Sequence, residues 1–317
     1  MNNTTTLAAG IDTAKDKLDI AVHGQTTQMT VANTPAGYKQ LAAALTRAGV
    51  SRVGIEATGG YERAVVHHLR AADFTVLVLQ PLQVKAFARL RLRHAKNDAL
   101  DAAMIAACTA MIDPAEAAVD ARLEPLADQL TFVAQVEEDI ARLKNRLEHI
   151  TDLRLRHMVA RDIARFQKRR ATEMARIVNA LHQHDDLARR FSLIRSVPGI
   201  GERTALAIVV YLPELGGISR EQVAALAGLA PFDDDSGLHK GQRHIHGGRS
   251  RLRRSLYAAA LPAAFLWNPA LKALYARLIA RGRTHKAALV ACARKLLIFA
   301  NTVVLRGSPW KAALPSG

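Results

Sequence analysis

The sequence is poor in cysteine, in acid and in long apolar runs. Its two cysteines, Cys108 and Cys292, stand in apolar helical stretches, which excludes a disulfide framework and a cysteine-type zinc site and points to a reducing compartment. No window reaches the roughly 18 uninterrupted apolar residues of a membrane span. The start MNNTTTLAAG has no charged stretch ahead of an apolar run, so a soluble intracellular protein is expected. Acid is the third shortage: 28 Asp plus Glu stand against 44 Lys plus Arg, a net charge of +16. Yet 50% of the 317 residues are hydrophobic, enough for about two domains with buried cores. Together these exclude an acidic disordered tail and point to a folded protein that faces a polyanion.

Residues 7 to 33 read as three short strands joined by polar turns, LAAGID, KLDIAVHG and TQMTVAN. PAGYKQLAAALTRAG then reads as a helix with Pro35 near its start and Gly49 just past its end. SRVGIEATG is a strand, YERAVVHHLRAA a helix and FTVLVLQ a buried strand, and Pro81 to Met111 gives two helices separated near His94 to Asn97. A meander followed by α/β units predicts a mixed sheet flanked by helices over residues 1–120. From Arg122 the pattern turns to long helices. Leu126, Val133, Ile140 and Leu147 recur every seven residues, with Val136, Leu143 and Ile150 three later, as in a coiled-coil seam. Between Arg142 and Arg170 ten Lys or Arg meet three acids. A solvated helical hairpin, dimerisation and nucleic-acid contact are all open readings of this 121–190 linker.

A mainly helical third region, 191–317, opens with IRSVPGIGERTALAIVVYLPEL, where Gly199 and Gly201 lie in a turn between two helices. This reads as a helix-hairpin-helix, whose glycines let backbone N–H groups reach a phosphate, or as a plain helical hairpin with glycine in its turn. REQVAALAGLAP is one more helix, and it leads into a loop, FDDDSGLHKGQRHIHGGRSRLRR, in which no acid interrupts Leu238 to Arg254. Lys240, Arg243, Arg249, Arg251, Arg253 and Arg254 make this loop first a phosphate-binding element. Lys85, Arg89, Arg91, Arg93 and Lys96 form a smaller basic cluster.

Four acids stand out by position. Asp12 ends the first strand within an apolar run, Glu56 ends VGIE before a glycine-rich turn, and Asp98 and Asp101 lie three apart on one face of a helix. Acids at strand ends are costly to bury without a partner, and a cation reconciles them. Hard oxygen ligands of this kind suit Mg²⁺ or Mn²⁺, and a paired-metal carboxylate site can stabilise both oxygens of a phosphoryl transfer. Any one of these acids taken alone also reads as a helix cap or a surface charge. Ser236, between DDD and Gly237, reads on composition as a turn residue and becomes a nucleophile only if something activates it.

These residues resemble a known family. AGIDTAKDKLDIAVHG, IEATGGYE and KNDALDA, then SVPGIGERTALAIV, LAGLAPFDDDSG and KGQRHIHGGRSRLRRSLY, are similar to the DEDD transposases of the insertion-sequence-110 type, in the family's order and over nearly the whole chain. The resemblance implies an N-terminal RuvC-like domain of RNase H-type fold, a coiled-coil connection and a C-terminal transposase domain. It places the acidic tetrad on Asp12, Glu56, Asp98 and Asp101 and the catalytic serine on Ser236. It further implies Mg²⁺, a phosphoserine link to DNA and a structured bridge RNA that pairs with donor and target DNA. It also implies a homo-oligomer joined through the coiled coil, in a cytoplasmic, nucleoid-associated protein of prokaryotic type.

Three other readings compete. A metal-dependent junction resolvase or nuclease would use the four acids and leave Ser236 idle. An architectural nucleic-acid-binding protein would need only the basic helices. A sugar-kinase-like ATPase could begin with AGIDTAKDKLDIAV, but no later glycine-rich adenosine loop follows and +16 is excessive for a small-molecule enzyme.

Overall fold

The computed structural model describes residues 7–26, 28–91, 98–112, 120–232, 235–236, 239–240, 244–245 and 247–311. The chain divides into two compact units, Met1–Val119 and Asp120–Gly317. In the first, β1 (Leu7–Thr13), β2 (Lys17–Val22) and β3 (Gln28–Ala32) form the expected antiparallel meander. α1 (Pro35–Arg47) starts at Thr34, whose hydroxyl accepts from the Gly37 N–H, and Gly49 leaves the helix at a φ of +68°. β4 (Val50–Glu56), α2 (Arg63–Ala71) and β5 (Thr75–Leu79) follow, with β4 parallel to β1 and β5 parallel to β4. The order β3-β2-β1-β4-β5 is the mixed sheet flanked by helices that the sequence predicts.

Alternation along the strands divides the apolar side chains between two faces. On one face Ile11, Leu18, Ile20, Val53 and Ile55 pack with Tyr38, Leu41 and Leu45 of α1 and Val66 and Leu69 of α2. The other face is covered by α3 (Pro81–Leu90) and α4 (Asp98–Met111), with Leu77, Leu79, Val84, Ile105 and Cys108 in a smaller core.

The described part of the second unit is mainly helical: α5 (Leu123–Glu148), α6 (Leu153–His182), α7 (Asp185–Arg195), α8 (Glu202–Tyr211), α9 (Arg220–Leu226), α10 (Ser250–Pro262), α11 (Pro269–Ala280) and α12 (His285–Arg306). A five-residue π-helical turn, Ala263–Trp267, follows α10. α8 lies at the centre, with Ala205 to Val210 all buried. α12 is long and apolar enough to cross a membrane by length and composition, but Leu289, Cys292, Leu296, Leu297 and Ala300 pack it into the helical core.

The heptad seam finds its partner within the chain. Asp152 accepts from the Leu155 N–H at the start of α6, and Arg156 donates to the Leu147 and Ile150 carbonyls, so α6 folds back along α5. Leu126 and Val133 then pack in one core with Ile177 and Leu181, and Val136 and Ile140 close on Ile163. The seam expected to join subunits as a coiled coil is thus filled inside one chain. At the hairpin turn Leu153, Leu155 and Met158 remain exposed. The basal half of the hairpin shares its core with α7 to α12, so the helical linker is packed as part of the second unit.

Candidate active site

The acidic site is set by how closely α4 crosses the sheet. Strand parity puts Gly10 and Asp12 of β1, and Gly54 and Glu56 of β4, on the α4 face, while Ile11 and Ile55 face the opposite core. Gly10 lies against the backbone of Ala102 and Ala106, and Gly54 against the Thr109 hydroxyl, so closely that a Cβ at either would overlap its neighbour. Two glycines side by side in register, Gly10↔Gly54, let the helix drop onto the strands. Asp101, in the first turns of α4, then reaches the strand ends that carry Asp12 and Glu56.

The electrostatics report that convergence. Burial pushes the Glu56 carboxyl up from its ordinary value, the charges of Asp12 and Asp101 push it further, and Lys85 pulls it back. Three acids of the expected tetrad are therefore electrostatic neighbours. Asp98 opens α4, and its side chain lies outside the described residues. Among the described residues no three His, Cys, Asp or Glu side chains already stand at ligand spacing. The carboxylates that meet here offer oxygen donors alone, with mutual repulsion that a hard divalent cation would relieve.

Two neighbours of the site escape a reading by motif. Asp19 stands directly opposite Asp12 in the β1–β2 ladder, which puts both on one face. Its carboxylate accepts from the Thr30 hydroxyl at 2.6 Å and pairs with Lys17 at 2.8 Å; burial works against its ionisation, but these partners hold it below the ordinary value. The parity of KLDIAV was the available signal. Lys85 of α3 belongs to the basic cluster, yet its charge acts on Glu56. Arg89 is exposed one turn further along α3, and the Arg91 guanidinium lies 5.4 Å from the Phe87 ring centroid. Arg93 and Lys96 lie outside the described residues.

In the second unit the serine-bearing segment is tied at its base. Pro231 and Phe232 pair with Ile245 and His244, and Asp235 and Ser236 pair with Lys240 and His239. The side chains of Ser236 and Lys240, and all of Arg243, lie outside the described residues. Arg249 clasps Glu214 with two bonds of 2.6 and 2.7 Å, and Arg253 donates to the Gly247 carbonyl. Arg251 donates to the Thr131 hydroxyl and Arg254 to Glu138, and both arginines stay largely in solvent. Two of the basic residues assigned to nucleic acid are therefore engaged in anchoring the loop. Gly199 takes a φ of +96° against Ala263, with the turn fastened by an Asn268 bond to the Pro198 carbonyl, while Gly201 opens α8 with free space beside it. The two helices expected on either side of SVPGIG are present as α7 and α8, and the first glycine of the turn serves packing as well as the turn.

Residues 9–154 match the sequence profile of the DEDD transposases of the IS110 type, and residues 191–276 match that of the transposase IS116/IS110/IS902 family. The chain belongs to the IS110 family of transposases. It is a DNA-cutting and rejoining enzyme. This IS110-family chain is 26% identical to the pilin gene-inverting proteins of Moraxella bovis and Moraxella lacunata over 95% of its length and 96% of theirs. It is 31% identical to an IS110 insertion-element protein of Streptomyces coelicolor over 48% of this chain and 36% of that one. Two structures of Thermus thermophilus RuvC, one with a Holliday junction substrate, align at 17% identity with TM-scores of 0.28 and 0.26, over 32% of this chain and 91% and 92% of theirs.

Proposed function

We propose that this transposase exchanges DNA strands by two cooperating chemistries, a divalent-metal carboxylate site at Asp12, Glu56, Asp98 and Asp101 and a serine nucleophile at Ser236. The observation that supports it best is the joint action of the Asp12 and Asp101 charges on Glu56, since such repulsion is tolerated where a cation is to bind. Mg²⁺ or Mn²⁺, when bound, neutralises the phosphate and the developing charge. Asp12, Glu56, Asp98 and Asp101 would hold it, and Lys85, whose charge acts on Glu56, would draw in the phosphate backbone.

The Ser236 hydroxyl attacks a scissile phosphodiester. A serine–phosphate bond forms as one phosphorus–oxygen ester bond breaks, and the departing strand end leaves as a hydroxyl carrying the proton. Attack by a hydroxyl of the exchanged strand reverses the step and regenerates the serine, so no external energy source is needed. Donor and target are selected by pairing with a bridge RNA, and the basic faces of α6 and of the loop after Ser236 hold backbone phosphates. The enzyme works as an oligomer in the cytoplasm, at the nucleoid. With the seam closed inside each chain, the exposed Leu153, Leu155 and Met158 at the hairpin turn offer one contact between copies.

The test incubates wild type, Asp12→Ala and Ser236→Ala with both DNAs, a guide RNA and Mg²⁺. Strand exchange is expected to be lost in both variants, and an adduct resistant to denaturant is expected only where Ser236 is present. Wild-type exchange by either variant sinks the corresponding assignment. Cleavage without any adduct in the wild type favours the resolvase reading.

A further inference from the structure

Asn33 sits at the end of β3, outside every motif assigned to the site, yet it touches both loops that continue from the carboxylate strands. Its Nδ2 donates to the Ala14 carbonyl at 2.9 Å and to the Tyr61 carbonyl at 3.2 Å. Ala14 lies two residues past Asp12, and Tyr61 lies in the turn that follows Glu56. The Asn33 backbone N–H donates to the Asp16 carbonyl at 3.0 Å, so main chain and side chain grip the same β1–β2 loop.

The amide cannot turn over without loss. The Tyr38 hydroxyl donates to Asn33 Oδ1 at 2.6 Å, which leaves the NH₂ for the two carbonyls. Tyr38 is buried in α1 against the sheet, and burial pushes its phenol up, so it remains a donor through the neutral range. A flipped amide would set its NH₂ against the phenol and its oxygen against two carbonyls.

The second loop is stiff enough to pass this restraint on. Glu62, almost wholly buried, accepts from the Thr58 and Gly60 N–H groups at 3.1 and 2.8 Å and from the Thr58 hydroxyl, and Gly59 and Gly60 take φ of +76° and +114°. Tyr61 is therefore fixed relative to Glu56. A single side chain bridges the Asp12 loop and the Glu56 loop, at a point where carboxylate repulsion would otherwise spread the two strand ends.

We infer that Asn33, oriented by Tyr38, is a positioning residue that sets the separation of Asp12 and Glu56 and so the affinity of the carboxylate site for its divalent cation. The inference rests on the metal reading proposed above. Groups bonded directly to metal ligands carry about 10- to 100-fold in metal affinity or activity, and Asn33, which acts one step further back through the two loop backbones, is expected to carry less, about fivefold. Ala14, Tyr61 and Tyr38 carry no ligand, so their bonds to Asn33 act through geometry alone.

The experiment titrates Tb³⁺ into the whole, metal-stripped protein and follows its luminescence, for wild type, Asn33→Ala, Tyr38→Phe, Asp12→Ala and Glu56→Ala. Thermal melts establish that each is folded. Asn33→Ala is expected to weaken Tb³⁺ about fivefold and to raise the Mg²⁺ concentration for half-maximal DNA cleavage in step, with metal-free DNA binding unchanged. Tyr38→Phe moves the same way by a smaller factor. Folded Asn33→Ala that binds Tb³⁺ like wild type, while Asp12→Ala and Glu56→Ala do not, overturns the role of Asn33 and leaves the metal site standing. If Asn33→Ala fails to fold, wild-type Tb³⁺ affinity in Tyr38→Phe overturns it. Wild-type affinity in Asp12→Ala and Glu56→Ala overturns the metal reading, and this inference with it.

Discussion

Gly54 of β4 lies directly beneath the Thr109 hydroxyl of α4, with no room for a methyl group between them. Thr109 is itself buried and donates to the Ile105 carbonyl at 2.6 Å, so it cannot swing aside without abandoning that bond. The pair fixes the height of α4 above the sheet, and with it the reach of Asp101.

Gly54→Ala is accordingly expected to cost about 1–3 kcal/mol, the usual range for overpacking. Cleavage should fall more than stability accounts for, because the lifted helix carries Asp101 away from Glu56. Gly54→Ala combined with Thr109→Ala removes the hydroxyl overlap and leaves only a tight Cβ contact, so partial recovery of both melting temperature and cleavage in the double variant checks the argument.

Glu56 predicts a pH dependence. Its carboxyl titrates above its ordinary value when folded, so the native state holds the proton more tightly than the unfolded chain. Its stabilising contribution is fully present below the unfolded value and is lost as pH rises through the folded one. In metal-free protein, Glu56→Gln should therefore raise the melting temperature at neutral pH, with the gain vanishing toward pH about 4. Saturating Mg²⁺ should reverse the sign, stabilising wild type and not the variant.

The Arg249–Glu214 pair predicts a loop phenotype. Burial alone would raise the Glu214 carboxyl, but the two bonds from Arg249 hold it below its ordinary value. That stability is present above the unfolded value and lost as pH falls through the folded one. Glu214→Gln is expected to cost only about 1 kcal/mol, because the pair is about a third exposed. Strand exchange should fall, and limited proteolysis between Pro231 and Gly248 should quicken. Arg249→Lys should not restore either, since an ammonium cannot make both bonds.

The helical hairpin predicts a concentration test. Ile163 is buried against Val136 and Ile140 of the same chain, so Ile163→Ala should destabilise the hairpin by about 2–4 kcal/mol. The urea midpoint of that transition should not depend on protein concentration. A midpoint that rises with concentration would place the seam between copies instead.

By itself the sequence determined the order of elements and the acidic candidates. Local rules suffice for that: short apolar or alternating runs between turn residues for β1 to β5, Pro35 and Gly49 at the ends of α1, and acids where apolar strands stop. The family likeness then added the roles of Asp12, Glu56, Asp98, Asp101 and Ser236, which spacing alone leaves open. Tertiary structure decided what depends on contacts between distant residues. Whether Asp12, Glu56 and Asp101 share one field depended on Gly10 and Gly54 meeting Ala106 and Thr109, about fifty residues or more away in the chain. The heptad pattern identified the buried stripe of α5 without its partner, because a hydrophobic seam is satisfied equally by a second copy or by α6. The charge of the C-terminal loop was countable, but its division between anchoring and solvent was settled by Glu214 and Gly247, which claim Arg249 and Arg253. Periodicity reports which side of an element is apolar, and only packing reports what lies against it.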